Sequence, residues 1–194
     1  MKKVAVIFES SPFDRKGMFN SVHNRTLNLI ASGEMTVDAY CMHVRDSALS
    51  RYLRKTQKVP HKEVVEIGGV DYKMLWRRFS YMDELRRRFS IGPKKLLSYA
   101  ARTARLFKNY DVVVAHSYEA GLVAYEVNRQ FGIPYTVTWH GSDVHTHPIK
   151  DEARRVLTAK VMNAAATNFF VSEALLADSS RITDELTFKT LNVA

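Results

Sequence analysis

DVVVAHSYEAGLVAYEVNRQFGIPYTVTWHGSD, Asp111 to Asp143, is the stretch whose reading decides the fold. DVVVAH is a short apolar run bounded by polar residues, the pattern of a strand buried on both faces. Glu119 to Phe131 has helical spacing and stops at Gly132, with Pro134 just beyond, a common way to end a helix. YTVTW (Tyr135 to Trp139) is a second strand. Strand, helix and strand within about 30 residues make one βαβ unit, which forces the two strands to run parallel.

The same alternation extends in both directions. KVAVIF (Lys3 to Phe8) is a buried strand, followed by the loop ESSPFDRKGMF and a helix over Asn20 to Ala31. Val37 to Val44 is a strand, and Ser47 to Gln57 is a loop with a short helix. Glu63 to Trp76 holds two β-prone pieces around Gly68-Gly69, either a third strand or a small hairpin. Helices are predicted over Tyr81–Phe89, Pro93–Lys108 and Asp151–Ala165. In the second of these, Leu97, Ala100, Ala104 and Phe107 share an apolar face opposite Lys95, Ser98, Arg102 and Arg105. Thr167 to Val171 is a strand, and Ser172 caps a final helix with Glu173 in its first turn. The fold class read from this order is α/β: a single-domain, Rossmann-like, doubly wound parallel sheet.

Composition is that of an ordinary globular chain, with 46% apolar and 25% charged residues over 194 positions. One cysteine, Cys41, excludes an internal disulfide framework and fits a reducing compartment. The N-terminus has too short an apolar run for a signal peptide, and no stretch approaches the roughly 18 apolar residues of a membrane span. These features predict a cytoplasmic protein, soluble or peripheral at the inner face of the membrane. The net charge of +9 is concentrated. Lys73 to Lys108 holds eleven basic and two acidic residues, so this window alone carries it. Arg86, Arg87, Arg88, Lys94 and Lys95, interleaved with Trp76, Phe79, Tyr81, Met82 and Phe89, are either a solvated helix face or an anionic-membrane surface. Nucleic acid is the weaker third use, because no recognised nucleic-acid fold is visible.

In an open parallel sheet, ligands bind at the carboxyl ends of the strands. Three loops there carry chemistry: DRKGMFN, HSYEAG and HGSDVHTHP. In the first, Gly17 permits close backbone approach before a helix N-terminus, or is a plain turn glycine. Neither GxGxxG nor GxxxxGK[ST] is present, which removes the best evidence for a nicotinamide cofactor or P-loop phosphoryl transfer. In the third, His140, Asp143, His145 and His147 lie within eight residues. A zinc site is conceivable, but helical ligand spacings are absent and Pro148 makes the segment a loop. The expectation is therefore no metal, with His145 and His147 as solvated loop residues. His140 sits where its strand ends and Gly141 lets the chain turn, so its imidazole can meet a sugar hydroxyl or a phosphate, or act as a base. His116 occupies the same place on DVVVAH. Asp143 can fix the local backbone or hold the imidazole's tautomer.

Four motifs then carry a resemblance: DVVVAH, the GIP segment, HGSD, and the VS before the helix SEALLADSS. In this order they resemble the N-terminal domain of GT-B fold glycosyltransferases, retaining enzymes that use nucleotide-sugars. The likeness runs from Lys3 to about Ile182. It implies that residues 1–194 form an acceptor-side Rossmann-like domain. His140 would line the transfer cleft as the catalytic residue, and His116 with Ser117 would face the acceptor. Gly141, Ser142 and Asp143 would shape the strand end, and Gly17 would lie near the donor's diphosphate. The family often has two adjacent glycines in that first loop, where this chain reads Lys16-Gly17. The Arg, Lys and E-x7-E pair of the family's donor-binding domain are not found, since Glu173 and Glu185 lack that spacing. The resemblance thus implies a nucleotide-sugar as co-substrate through a C-terminal domain absent from this chain, a sugar or lipid-linked acceptor, and no turnover by the chain alone. The alternative is a stand-alone Rossmann-like module binding a phosphorylated small molecule or nucleic acid.

Overall fold

A computed structural model describes residues 1–13, 17–55, 59–79, 82, 94–184 and 190–192. At its centre lies β1 (Lys2–Glu9), whose Val4–Phe8 are all buried. It pairs in parallel with β2 (Met35–Asp46) on one side and β5 (Val112–His116) on the other. Beyond β2 stands β4 (Val70–Phe79), parallel to it, and then the antiparallel edge strand β3 (Val64–Ile67). Beyond β5 come β6 (Tyr135–Trp139), β7 (Thr167–Phe170) and β8 (Thr190–Asn192), all parallel. The order is β3-β4-β2-β1-β5-β6-β7-β8.

The chain moves outward from β1 in one direction, returns, and moves outward in the other. Right-handed crossovers then put helices on opposite faces of the sheet. The packing follows that rule. Alternate residues of β1 feed two separate cores. Val4, Val6 and Phe8 pack with Phe19 and Val22 of α1 (Met18–Ala31) and with Tyr72 of β4. Ala5 and Ile7 pack with Ala100 of α3 (Lys94–Thr103), Leu122 and Val123 of α4 (Tyr118–Phe131), and Val161 of the later helix α7 (Glu152–Ala164). The crevice between the ends of β1 and β5 is the switch point where ligands bind in such sheets.

The two β-prone pieces around Gly68-Gly69 form a hairpin, and its second strand joins the main sheet. The predicted Pro93–Lys108 helix is α3 followed by a 3₁₀ turn over Ala104–Phe107; Ala100, Ala104 and Phe107 are buried, and Arg102 and Arg105 are exposed. Ser172 accepts from the Leu175 N–H at the start of α8 (Glu173–Ser179). The segment after Trp139 corrects the loop expectation. Pro148 does not forbid a helix there, because it stands in the first turn of a short one, where its missing N–H is not needed. The result is α5 (Ser142–His145) and α6 (His147–Lys150) in succession. A further short helix, α2 (Ala48–Arg54), follows β2.

The basic window is not one surface. Lys73 pairs with Asp38 at 2.7 Å near the surface, and Arg77 pairs with Glu119 at 2.7 Å inside the fold, so neither is a free charge. Lys94 opens α3 and Lys95 is exposed on it. Arg86, Arg87 and Arg88, with all of the predicted Tyr81–Phe89 helix except Met82, lie outside the described residues. Among the described residues, no helix is long and apolar enough to cross a membrane.

α4 and α7 meet at Gly121, where a Cβ would lie 2.9 Å from Val161 Cγ1. Gly121→Val is therefore expected to cost about 1–3 kcal/mol through overpacking. Gly121→Ala should cost less, since helix propensity offsets about 1 kcal/mol of the strain. Urea midpoints test this, and an unchanged midpoint for the valine variant would mean that the two helices do not press together there.

Candidate functional site

Four strand ends build the site. β1 ends in Glu9, β5 in His116, β6 runs into His140, and Arg77 lies near the end of β4. The register sets Phe8 beside His116, and His116 beside Thr138. His140 follows two residues later, which brings the two imidazoles together. His116 Nδ1 and His140 Nε2 lie 3.2 Å apart, with ring centroids at 5.5 Å. One nitrogen of the pair must donate and the other accept.

Both rings are held neutral. Burial, then the neighbouring His140, pushes His116 down to about 3, and it is only 2% exposed. Burial also lowers His140; Asp143 opposes the shift and Arg25 adds to it. Trp139 anchors the approach to His140. It is fully buried and its indole N–H donates to Asn168 Oδ1 at 2.9 Å, while the Asn168 amide donates to Met162 O.

After His140 the chain turns. Gly141 has φ 151°, a region that disfavours any residue with a Cβ. Asp143 is buried, and its carboxylate accepts from the N–H of Gly141 at 2.8 Å and, more weakly, from the N–H of His140 at 3.4 Å. Its role is thus on the backbone, not on an imidazole nitrogen. Ser117 adopts φ 76°, strained for a residue other than glycine, and donates its N–H to Thr138 O. Its hydroxyl reaches Glu9 at 3.5 Å. Non-glycine strain of this kind accumulates at functional sites.

Glu9, Ser117, His140, Gly141 and Asp143 line a cleft of about 240 Å³ that also takes in Met18, Tyr118, Ser142, His147 and Arg154, with His116 buried behind His140. His116, His140, Ser117, Gly141, Ser142 and Asp143 are therefore gathered at one place. Gly17 begins α1 next to Met18, with φ 38°. His145 and His147 are both exposed, as expected; His147 stands on α6 and not in a loop, and it also borders the cleft, which His145 does not. Among the described residues, no group of three or more His, Cys, Asp or Glu side chains could hold a metal ion.

Several residues of the site carry no sequence motif. Glu9 is the last residue of β1. Burial, followed by the charge of Glu119, pushes its carboxyl up to about 8, against Arg77 and Arg154. Glu9 also borders a second cavity of about 250 Å³, with Ser10, Ser11, His43, Arg77 and Glu119. There Arg77 donates to both Glu119 oxygens, at 2.7 and 2.9 Å, tying β4 to α4. Arg154 has no such signal, since only the fold brings α7 over Tyr118.

Residues 68–183, more than half of the chain, match the family described as Glycosyl transferase 4-like domain. No curated protein matches by sequence. Among solved structures, the sucrose-phosphate synthase of Thermosynechococcus elongatus is 16% identical, with a TM-score of 0.63 over 99% of this chain and 47% of that one. An Anabaena HepE structure in complex with UDP and glucose gives 11% and 0.54, over 98% and 44%. The lipopolysaccharide outer core galactosyltransferase WaaB gives 12% and 0.53, over 93% and 42%. The chain thus spans about half the length or less of each, and the likeness is one of fold.

Proposed function

Because this chain belongs to the glycosyl transferase 4-like domain family, we propose that it is the acceptor-side half of a sugar-transferring enzyme. Its partner would be a second domain that carries the nucleotide-sugar. The observation that supports this most is the pair of neutral imidazoles, His116 and His140, at adjoining strand ends of the switch-point crevice. Neutral rings both donate and accept hydrogen bonds, which suits sugar hydroxyls and the shifting charge of a transfer reaction. In this reading, the cleft orients an acceptor while the other domain holds the diphosphate, so the chain alone does not turn over.

Calorimetry on the chain tests the division of labour. UDP- and GDP-sugars are expected to bind with dissociation constants of about 1 mM or weaker, no more than about 4 kcal/mol of binding. Micromolar binding of any donor would place the donor site on this chain and overturn the assignment.

A further inference from the structure

Tyr118 is 2% exposed and lines the cleft, yet its hydroxyl has no hydrogen-bond partner. Arg154 lies across its ring, with the guanidinium carbon 4.3 Å from the ring centroid, and the buried Arg154 Nε also has no partner. A buried donor left unpaired is costly, so two of them side by side at one cavity call for a ligand. The geometry narrows its chemistry. Stacking uses the face of the guanidinium and leaves its edge, the planar fork that matches an oxyanion, for something else.

Among the described residues, no carboxylate pairs with this edge. The Asp143 carboxylate is taken by backbone N–H groups. Glu119 is forked by Arg77, and burial with the charge of Glu119 shifts Glu9 toward its protonated form. Asp151 already caps α7 through the Arg154 N–H, so the helix end is satisfied. A second guanidinium, that of Arg25 on α1, stands near enough to depress both His116 and His140. The wall therefore presents a guanidinium edge and an unpaired hydroxyl to one cavity, and the carboxylate beside them, Asp143, is engaged by backbone N–H groups.

We propose that the Tyr118–Arg154 wall of this cleft binds a phosphate group, with the arginine edge and the tyrosine hydroxyl as its donors. The phosphate has two possible sources, a phosphorylated acceptor sugar or the diphosphate of the nucleotide donor, and the inference rests on the transferase reading only for that choice. Titrations of the chain with inorganic phosphate, glucose 6-phosphate, glucose and UDP, followed by backbone amide shifts, test it. Phosphate and glucose 6-phosphate are expected to bind, and Arg154→Gln to weaken both about tenfold or more. Arg154→Lys, which keeps the charge and loses the fork, should weaken them less. Tyr118→Phe, which keeps the ring under the guanidinium, should weaken them several-fold. Glucose 6-phosphate binding several-fold tighter than UDP assigns the phosphate to the acceptor, and the reverse order assigns it to the donor. Phosphate and glucose 6-phosphate binding equally to the chain and to Arg154→Gln sinks the proposal, while glucose shifts at His140 would leave the acceptor reading intact. Arg154-dependent phosphate binding with no sugar response around His116 and His140 does the opposite.

Discussion

In an enzyme that joins this chain to a donor-binding domain, as proposed, His140→Ala is expected to lower turnover about 100-fold or more and to leave folding nearly intact. The kinetic loss follows from where the ring stands. It leaves the sheet at the carboxyl edge of β6, its nitrogen meets His116 at 3.2 Å, and burial keeps it uncharged. A neutral imidazole that holds a transition-state hydrogen bond or moves a proton is worth about 10²–10⁴ in rate. The folding half of the expectation follows from the other face of the residue. The core at this strand end is Trp139, which the substitution does not touch. Steady-state kinetics and thermal unfolding of the same variant separate the two. Both His145 and His147 are exposed; His145→Ala, away from the cleft, should change turnover little, whereas His147→Ala should lower it measurably because His147 borders the cleft. If His140→Ala stays within about threefold of the parent enzyme, His140 only supports His116 and the transfer chemistry lies elsewhere.

The strand–helix succession was legible because each buried strand is a short apolar run and most helices end on a glycine, a cap or a proline. Phe8, His116 and Trp139 could be placed at strand ends from those runs alone. That is also why His116 and His140 could be set on one edge before their contact was known. The 3.2 Å contact itself comes from register, since His116 lies opposite Thr138 and so one strand step short of Trp139. Sequence periodicity does not encode that offset. Pro148 misled for a related reason. Proline breaks a helix interior but fits a first turn, and only the backbone shows which applies.

Glu9, Arg77, Glu119, Tyr118 and Arg154 escaped because no two adjacent members of that set lie on one element except Tyr118 and Glu119. They converge only when β1, β4, α4 and α7 are assembled around the switch point. Charge counting misread Arg77 in particular. It was counted in a basic segment, whereas it faces inward and forks onto Glu119. A sum over a window cannot tell a paired charge inside a sheet from a free one on a surface.

Glu9→Gln is expected to stabilise the chain at alkaline pH and to change little at acid pH. The Glu9 carboxyl titrates near 4.5 when unfolded and is pushed up to about 8 in the fold, first by burial and then by Glu119. The folded state thus holds the proton more tightly than the unfolded one. That linkage supports folding fully below pH 4.5, fades through the window between 4.5 and 8, and is lost above 8. Each unit of difference is worth at most about 1.4 kcal/mol, and because Glu9 borders two cavities, the loss is reduced to roughly 2–4 kcal/mol. Glutamine has the same size and no charge to desolvate, so its fold escapes that loss. His116 pulls the other way, since its lowered value costs stability as pH falls below 6.5, but it is common to both proteins and cancels in their difference. Urea midpoints at pH 5, 7 and 9 measure that difference, which should widen steadily with pH. A difference that stays flat across this range would mean that Arg77 and Arg154 keep Glu9 ionised, and that the cleft contains a carboxylate where this account places a neutral acid.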